Sequence, residues 1–73
     1  MATKVLNTKQ PGDCGYIGFF NGQQFEVYAP TLLKAREQIV TLAGIPLSKL
    51  RQLNVVLAER ADGTPVVHST AGL

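Results

Sequence analysis

The chain predicts a small α+β domain: an antiparallel four-stranded sheet in ββαββ order, with one helix packed on one face and a flexible N-terminal arm. Three observations lead there. Two apolar-alternating runs flank Asn21-Gly22, the dipeptide that best supplies the two positive-φ positions of a type I′ hairpin turn. Apolar residues at three- and four-residue spacing follow between Thr31 and Gly44, the signature of a helix with one buried stripe. Two further runs rich in β-branched residues flank Ala61-Asp62-Gly63, a second hairpin signal.

Taken in order, residues 1–13 carry Asn7, Pro11, Gly12 and Asp13 without a clear period, and are expected to be a flexible arm outside a single domain of residues 14–73. The first strand covers about residues 15–20 and the second residues 23–29, closed by Pro30, which cannot continue a ladder. Thr31 suits a helix N-cap, and the helix of residues 32–43 places Leu32, Ala35, Ile39, Leu42 and Ala43 on one face. Gly44 is the left-handed residue expected past its end, with Pro46 beyond. Residues 45–50 form a short link with a turn of 3₁₀ helix. Residues 53–59 make the third strand and 65–70 the fourth. Two registers suit the second hairpin. A two-residue turn pairs Leu57 with His68, whereas a three-residue loop with a bulge at Gly63 pairs Leu57 with Val67. The bulged form is preferred, because it keeps Leu53, Val55, Leu57 and Val67 on one face.

Composition narrows the function. With 73 residues the chain is one domain close to the lower limit for a self-sufficient core, and 45% apolar content is enough to build one. Net charge is only +2, and the seven Lys and Arg residues are spread along the chain, which argues against binding driven by phosphate neutralisation. The single cysteine, Cys14, forms no intrachain disulfide and no cysteine-based metal site, as suits a reducing cytoplasm. No run approaches a membrane span, and the N-terminus has no apolar signal region.

No reaction centre or cofactor motif stands out. Cys14 and His68 are the sole nucleophile and base candidates, and neither has an orienting partner at triad spacing. Glu26, Glu37 and Glu59 come from three different elements and do not form an acid–base pair, and Gly15, Gly18 and Gly22 do not open a helix as a phosphate loop must. The expectation is a non-enzymatic, monomeric binding module. The Asn21-Gly22 register puts Tyr16, Phe20, Phe25 and Val27 on the helix-facing side, with Phe25 covering Gly18. Ile17, Phe19 and Tyr28 fall on the opposite face beside Gln24 and Glu26, where a single helix leaves no cover. A contiguous apolar cluster rimmed by polar groups marks a docking site, so Ile17, Phe19 and Tyr28 are the candidate partner-binding residues. Lys4 and Lys9 join them as cations of an arm that orders on contact. Two rival readings stand beside this one: a single-strand nucleic-acid platform built on the aromatics, and addition of a partner strand to a sheet edge. Strands one and two contain no Lys or Arg, which weakens the first, and Pro65 blocks one end of an edge, which weakens the second.

Lys34-Ala35-Arg36, Ile45-Pro46-Leu47-Ser48-Lys49, Val55-Val56-Leu57-Ala58-Glu59 and the run from Asp62 through Gly63, Thr64, Pro65 and His68 to Ala71 resemble small proteins of tailed bacteriophages. The resemblance spans roughly residues 15–71. It points to the phage proteins, known from a phage of Xanthomonas, that bind the RNA polymerase of the bacterial host. It implies a protein of the host bacterial cytoplasm that contacts the polymerase β′ subunit or a neighbouring surface, inhibits transcription from host-type promoters and acts as an antiterminator. It implies no chemistry, no cofactor and no direct nucleic-acid contact, and it assigns no binding residue individually. An inhibitor of another host protein is the alternative within the same class.

Overall fold

In the computed structural model, which describes residues 3–66, the elements in chain order are β1 (Thr3–Val5), β2 (Cys14–Phe20), β3 (Gln23–Ala29), α1 (Leu32–Ala43), a 3₁₀ helix (Leu47–Gln52) and β4 (Asn54–Glu59). Asn21 and Gly22 take φ values of 51° and 77°, as a type I′ turn requires. The β2–β3 register follows from that turn: Phe20 pairs with Gln23, Gly18 with Phe25 and Tyr16 with Val27. Because side chains alternate along a strand, this places Tyr16, Phe25, Val27 and Ala29 on one face, and all four are buried there.

Helix α1 covers that face. The Thr31 hydroxyl accepts from the Lys34 N–H at 3.2 Å, and Gly44, at φ 71°, ends the helix with its N–H on the Val40 carbonyl. Ile45 then donates to the same carbonyl and is itself buried. Ala35 and Ile39 are fully buried against the sheet. Leu32 and Leu42, expected on the same stripe, are about half exposed. They occupy the first and last turns, and the residues that press fully on the sheet lie in the middle of the helix. Gly18 provides the room for this contact. A Cβ there would come within 2.7 Å of Ile39 Cδ1 and 3.4 Å of Leu53 Cδ1. The side chains nearest Gly18 are thus Ile39 and Leu53, and not Phe25 as the hairpin alone suggests.

The sheet itself departs from the expected one. It is mixed, in the order β1-β3-β2-β4. β2 is antiparallel to both β3 and β4, but β1 runs parallel to β3, with Thr3 opposite Gln24, Lys4 opposite Phe25 and Val5 opposite Glu26. The N-terminal segment therefore supplies the fourth strand, where a flexible arm and an antiparallel ββαββ sheet were expected. Its three strand residues are all exposed, so they carry no apolar period, and three residues are too few to show one. Asn7 fastens the segment. Its amide accepts from the Tyr28 N–H and donates to the Tyr28 carbonyl, both at 2.8 Å, and donates to Gln38 Oε1 on α1 at 2.6 Å.

Most of the expected strand of residues 65–70 lies outside the described residues. What is described, the bridge between Glu59 and Pro65 with Arg60 N–H on the Thr64 carbonyl at 2.8 Å, has the register of the three-residue loop, with Gly63 at φ 89°. The Thr64 N–H bonds the Asp62 carboxylate at 2.9 Å, and the hydrogen bonds from Thr64 hold that carboxyl below its ordinary pKa.

Asn7→Ala removes a side chain that completes the β3 edge and ties it to α1. It is expected to lower stability by about 1–3 kcal/mol, the cost of leaving partly buried backbone groups unpaired. Denaturant titration checks this, and an unchanged midpoint would mean that the N-terminal segment adds nothing to the fold.

Candidate docking face

The sheet face opposite α1 is built row by row from the registers. Gln24, Phe19 and Asn54 lie side by side, next to Thr3. Val5, Glu26, Ile17 and Val56 form the next row, and Tyr28, Gly15 and Glu59 the last. Of the apolar members, Phe19, Ile17, Val56 and Tyr28 are contiguous, and Glu26 stands between Ile17 and Val5. Phe19 is 43% exposed and Val5 56%, while Ile17, Tyr28 and Val56 are half-buried by their neighbours.

Two polar contacts hold the far end of this face. Lys9 Nζ meets Glu59 Oε1 at 2.9 Å, with both side chains about a third exposed. The Tyr28 hydroxyl donates to Glu26 Oε2 at 3.4 Å. A Cβ at Gly15 would lie 3.3 Å from Tyr28 Cε1 and 3.0 Å from the Glu59 Cβ, so the Tyr28 ring lies over Gly15 directly opposite it, an aromatic covering a strand glycine. Burial, and secondly the Glu26 carboxylate, push the Tyr28 hydroxyl above its ordinary pKa. On the core side burial does the same for Tyr16. The hydrogen bond to Glu59 raises the Lys9 ammonium.

Around the hairpin tip the face continues into a hollow of about 400 Å³. Phe19 and Phe20 wall it together with the amides of Asn21, Gln24, Gln52 and Asn54, and no Lys or Arg lines it. Aromatic and amide groups suit an extended or helical polypeptide, whose backbone offers donors and acceptors. They do not supply the positive charge that a nucleic-acid strand needs.

Of the five residues singled out in the sequence, the structure brings Ile17, Phe19 and Tyr28 onto this one face and puts Lys9 at its rim. Lys4 lies elsewhere. It pairs in register with Phe25 and borders a hollow on the helix side with Leu42 and Ala43. Val56, Asn54 and Val5 belong to the face but were not foreseen. Their placement depends on which strands neighbour β2 and β3. A bulge opposite Gly15 and Tyr16 leaves Ala58 without a partner on β2 and brings Glu59 to the same face. Cys14 is half-buried and packs against the core. His68 lies outside the described residues. Among the described residues no three His, Cys, Asp or Glu side chains come close enough to hold a metal ion, and no helix is long and apolar enough to cross a membrane.

Comparison with known proteins gave no match to a family model, to a curated protein or to a solved structure.

Phe25 is buried in the core whereas Phe19 is exposed. Phe25→Ala should therefore cost roughly 3–5 kcal/mol, and Phe19→Ala should leave the thermal melt nearly unchanged. Equal destabilisation would mean that both sheet faces are buried in solution. A second expectation concerns alkali. A proton held more tightly in the folded than in the unfolded chain stabilises the fold below the unfolded pKa, and that stability is lost as pH rises through the folded pKa. Tyr16, Tyr28 and Lys9 all shift upward, so stability should decline above about pH 10. The tyrosinate absorbance should rise later than that of free tyrosine. Titration of both tyrosines at the free value would contradict this account of their surroundings.

Proposed function

We propose that this chain is a non-enzymatic module that docks a protein partner on its open sheet face. The partner suggested by the phage resemblance is bacterial RNA polymerase, at its β′ subunit or a neighbouring surface. Binding there would act sterically or allosterically, inhibiting transcription from host-type promoters and favouring readthrough of terminators, in the host cytoplasm.

The observation that carries the docking reading is the continuous strip of Phe19, Ile17 and Val56 on a face that α1 does not cover. Phe19 leads it at 43% exposure. Its rim is neutral or acidic apart from Lys9, which already pairs with Glu59, so the affinity it offers is apolar and not electrostatic. Burying a side chain such as Phe19 against a partner contributes about 1.5–3 kcal/mol before ordering costs. Two or three such residues suffice to anchor a specific complex.

The test uses purified Xanthomonas RNA polymerase and the full chain. Binding should change little between low and moderate salt. Phe19→Ala or Ile17→Ser should weaken it about 10- to 100-fold while the melt stays in place, and terminator readthrough should fall in step. Absence of polymerase binding, together with salt-sensitive binding to single-stranded DNA or RNA, would replace this reading with the nucleic-acid one.

A further inference from the structure

The turn that joins β2 to β3 holds an amide and a backbone nitrogen in positions to react with each other. Asn21 and Gly22 are both exposed, and a Cβ built on Gly22 would meet no atom within 4 Å. Nothing therefore packs on that side of the Asn21–Gly22 peptide. The ladder closes at Phe20 and Gln23. Among the described residues neither the Gly22 N–H nor the Asn21 side-chain amide takes part in a hydrogen bond. Glycine also presents no side chain against an approach to or from its nitrogen.

The other groups in the chain with the same chemistry are held. Asp62-Gly63 shares the positive φ, with Gly63 at 89°. There, however, the Gly63 N–H donates to the Arg60 carbonyl at 2.9 Å, and the Thr64 N–H donates to the Asp62 carboxylate at 2.9 Å. The Asn7 side chain is committed to Tyr28 and Gln38, and Thr8 follows it. Asn54 precedes Val55, which pairs with Gly18 in the β2–β4 ladder. A β-branched residue is stiff and crowds the reaction of its own nitrogen with the preceding side chain.

We propose that Asn21 is a site of self-modification, at which the Gly22 nitrogen attacks the Asn21 side chain and the turn converts to aspartate and isoaspartate. The Gly22 nitrogen gives up its proton to hydroxide and attacks Asn21 Cγ. The new N–Cγ bond closes a five-membered imide, the Cγ–Nδ2 bond breaks, and the amide nitrogen takes a proton from water and leaves as ammonia. Water then opens the imide at one of its carbonyls. Cleavage of the N–Cγ bond restores the main chain with an aspartate side chain. Cleavage between the nitrogen and the main-chain carbonyl leaves the chain running through Cβ, as isoaspartate. No oxidant or reductant enters, and water is the sole co-reactant.

The two products differ in what they do to the fold. Aspartate before glycine supports a type I′ turn as asparagine does, so the aspartate form keeps the register. Isoaspartate adds a main-chain atom to a loop of fixed length and removes the backbone angles that the turn requires, so it loosens the hairpin from its tip. Either product places a carboxylate in the hollow beside Phe19 and Phe20, whose lining is otherwise uncharged.

The experiment ages the full chain in native buffer at neutral and at mildly alkaline pH, measuring released ammonia and mapping the new carboxyl by peptide mass. Modification should concentrate at residue 21, ahead of Asn7 and Asn54, and should quicken as pH rises, because the attacking nitrogen reacts after losing its proton. Asn21→Gly, which retains a turn that paired glycines support, should release no ammonia over the same period. The purified isoaspartate form should melt lower by about 4 °C or more, whereas Asn21→Asp should melt with the unmodified chain. The proposal is overturned if Asn21 stays intact, if it reacts only in denaturant, or if Asn7 or Asn54 reacts as fast. Ammonia release that persists in Asn21→Gly, or an isoaspartate form that melts with the unmodified chain, would overturn it as well.

Discussion

Everything in this fold depends on the parity of the β2–β3 hairpin. Side chains alternate along a strand, so a one-residue slip would send Phe25 and Val27 to solvent and turn Gln24 and Glu26 toward Ile39. Asn21 and Gly22 prevent the slip by adopting the two left-handed conformations that a two-residue loop demands. Gly18 then lies under Ile39, where a Cβ would press on the tip of the Ile39 side chain at 2.7 Å and force it to shift. The turn therefore sets the register, and the register brings a strand residue without a side chain beneath Ile39, the largest fully buried side chain of α1. The docking face is the other product of the same parity. The apolar side chains that this parity turns away from α1 on β2 and β3 are Ile17, Phe19 and Tyr28.

Features set by neighbouring residues were legible in the sequence. The Asn-Gly turn, the Thr31 and Gly44 caps, the helix bounds and the loop at Gly63 are all decided within a few residues, and the structure has them where the local chemistry puts them. Features decided by which segments meet were not. Thr3–Val5 is exposed throughout, and its strand form comes from the free edge of β3 and the Asn7 side chain. The apolar spacing of α1 took in Leu32 and Leu42 because a period carries no information about how much of a helix lies over the sheet. Val56 is the most instructive case. Its neighbours Val55 and Leu57 resemble it in kind, and the pairing of β4 with β2 is what brings it beside Ile17 on the open face.

One helix for one sheet leaves two apolar surfaces of different character. The sheet face offers aromatic and aliphatic side chains with a rim of Thr3, Gln24, Asn54, Glu26 and Glu59. The helical layer offers leucines among Arg36, Lys49 and Arg51.

The parallel edge strand has a consequence for how the molecule assembles. β2 and β3 close over a two-residue turn, whereas the Asn7–Tyr28 contact spans 21 residues, and closure entropy grows with that span. The first strand in the chain is thus laid onto the sheet only after the hairpin, because its template must exist beforehand. It is also the strand released at least cost, since its own three residues bury little. Its departure lays bare the hydrogen-bonding edge of β3, where exchange of the Tyr28 amide with solvent would report the opening. An edge of that kind accepts an extended chain from any source, including the same strand of another molecule. Asn7, by clasping both the N–H and the carbonyl of Tyr28 with one side chain, keeps that exchange of strands in check.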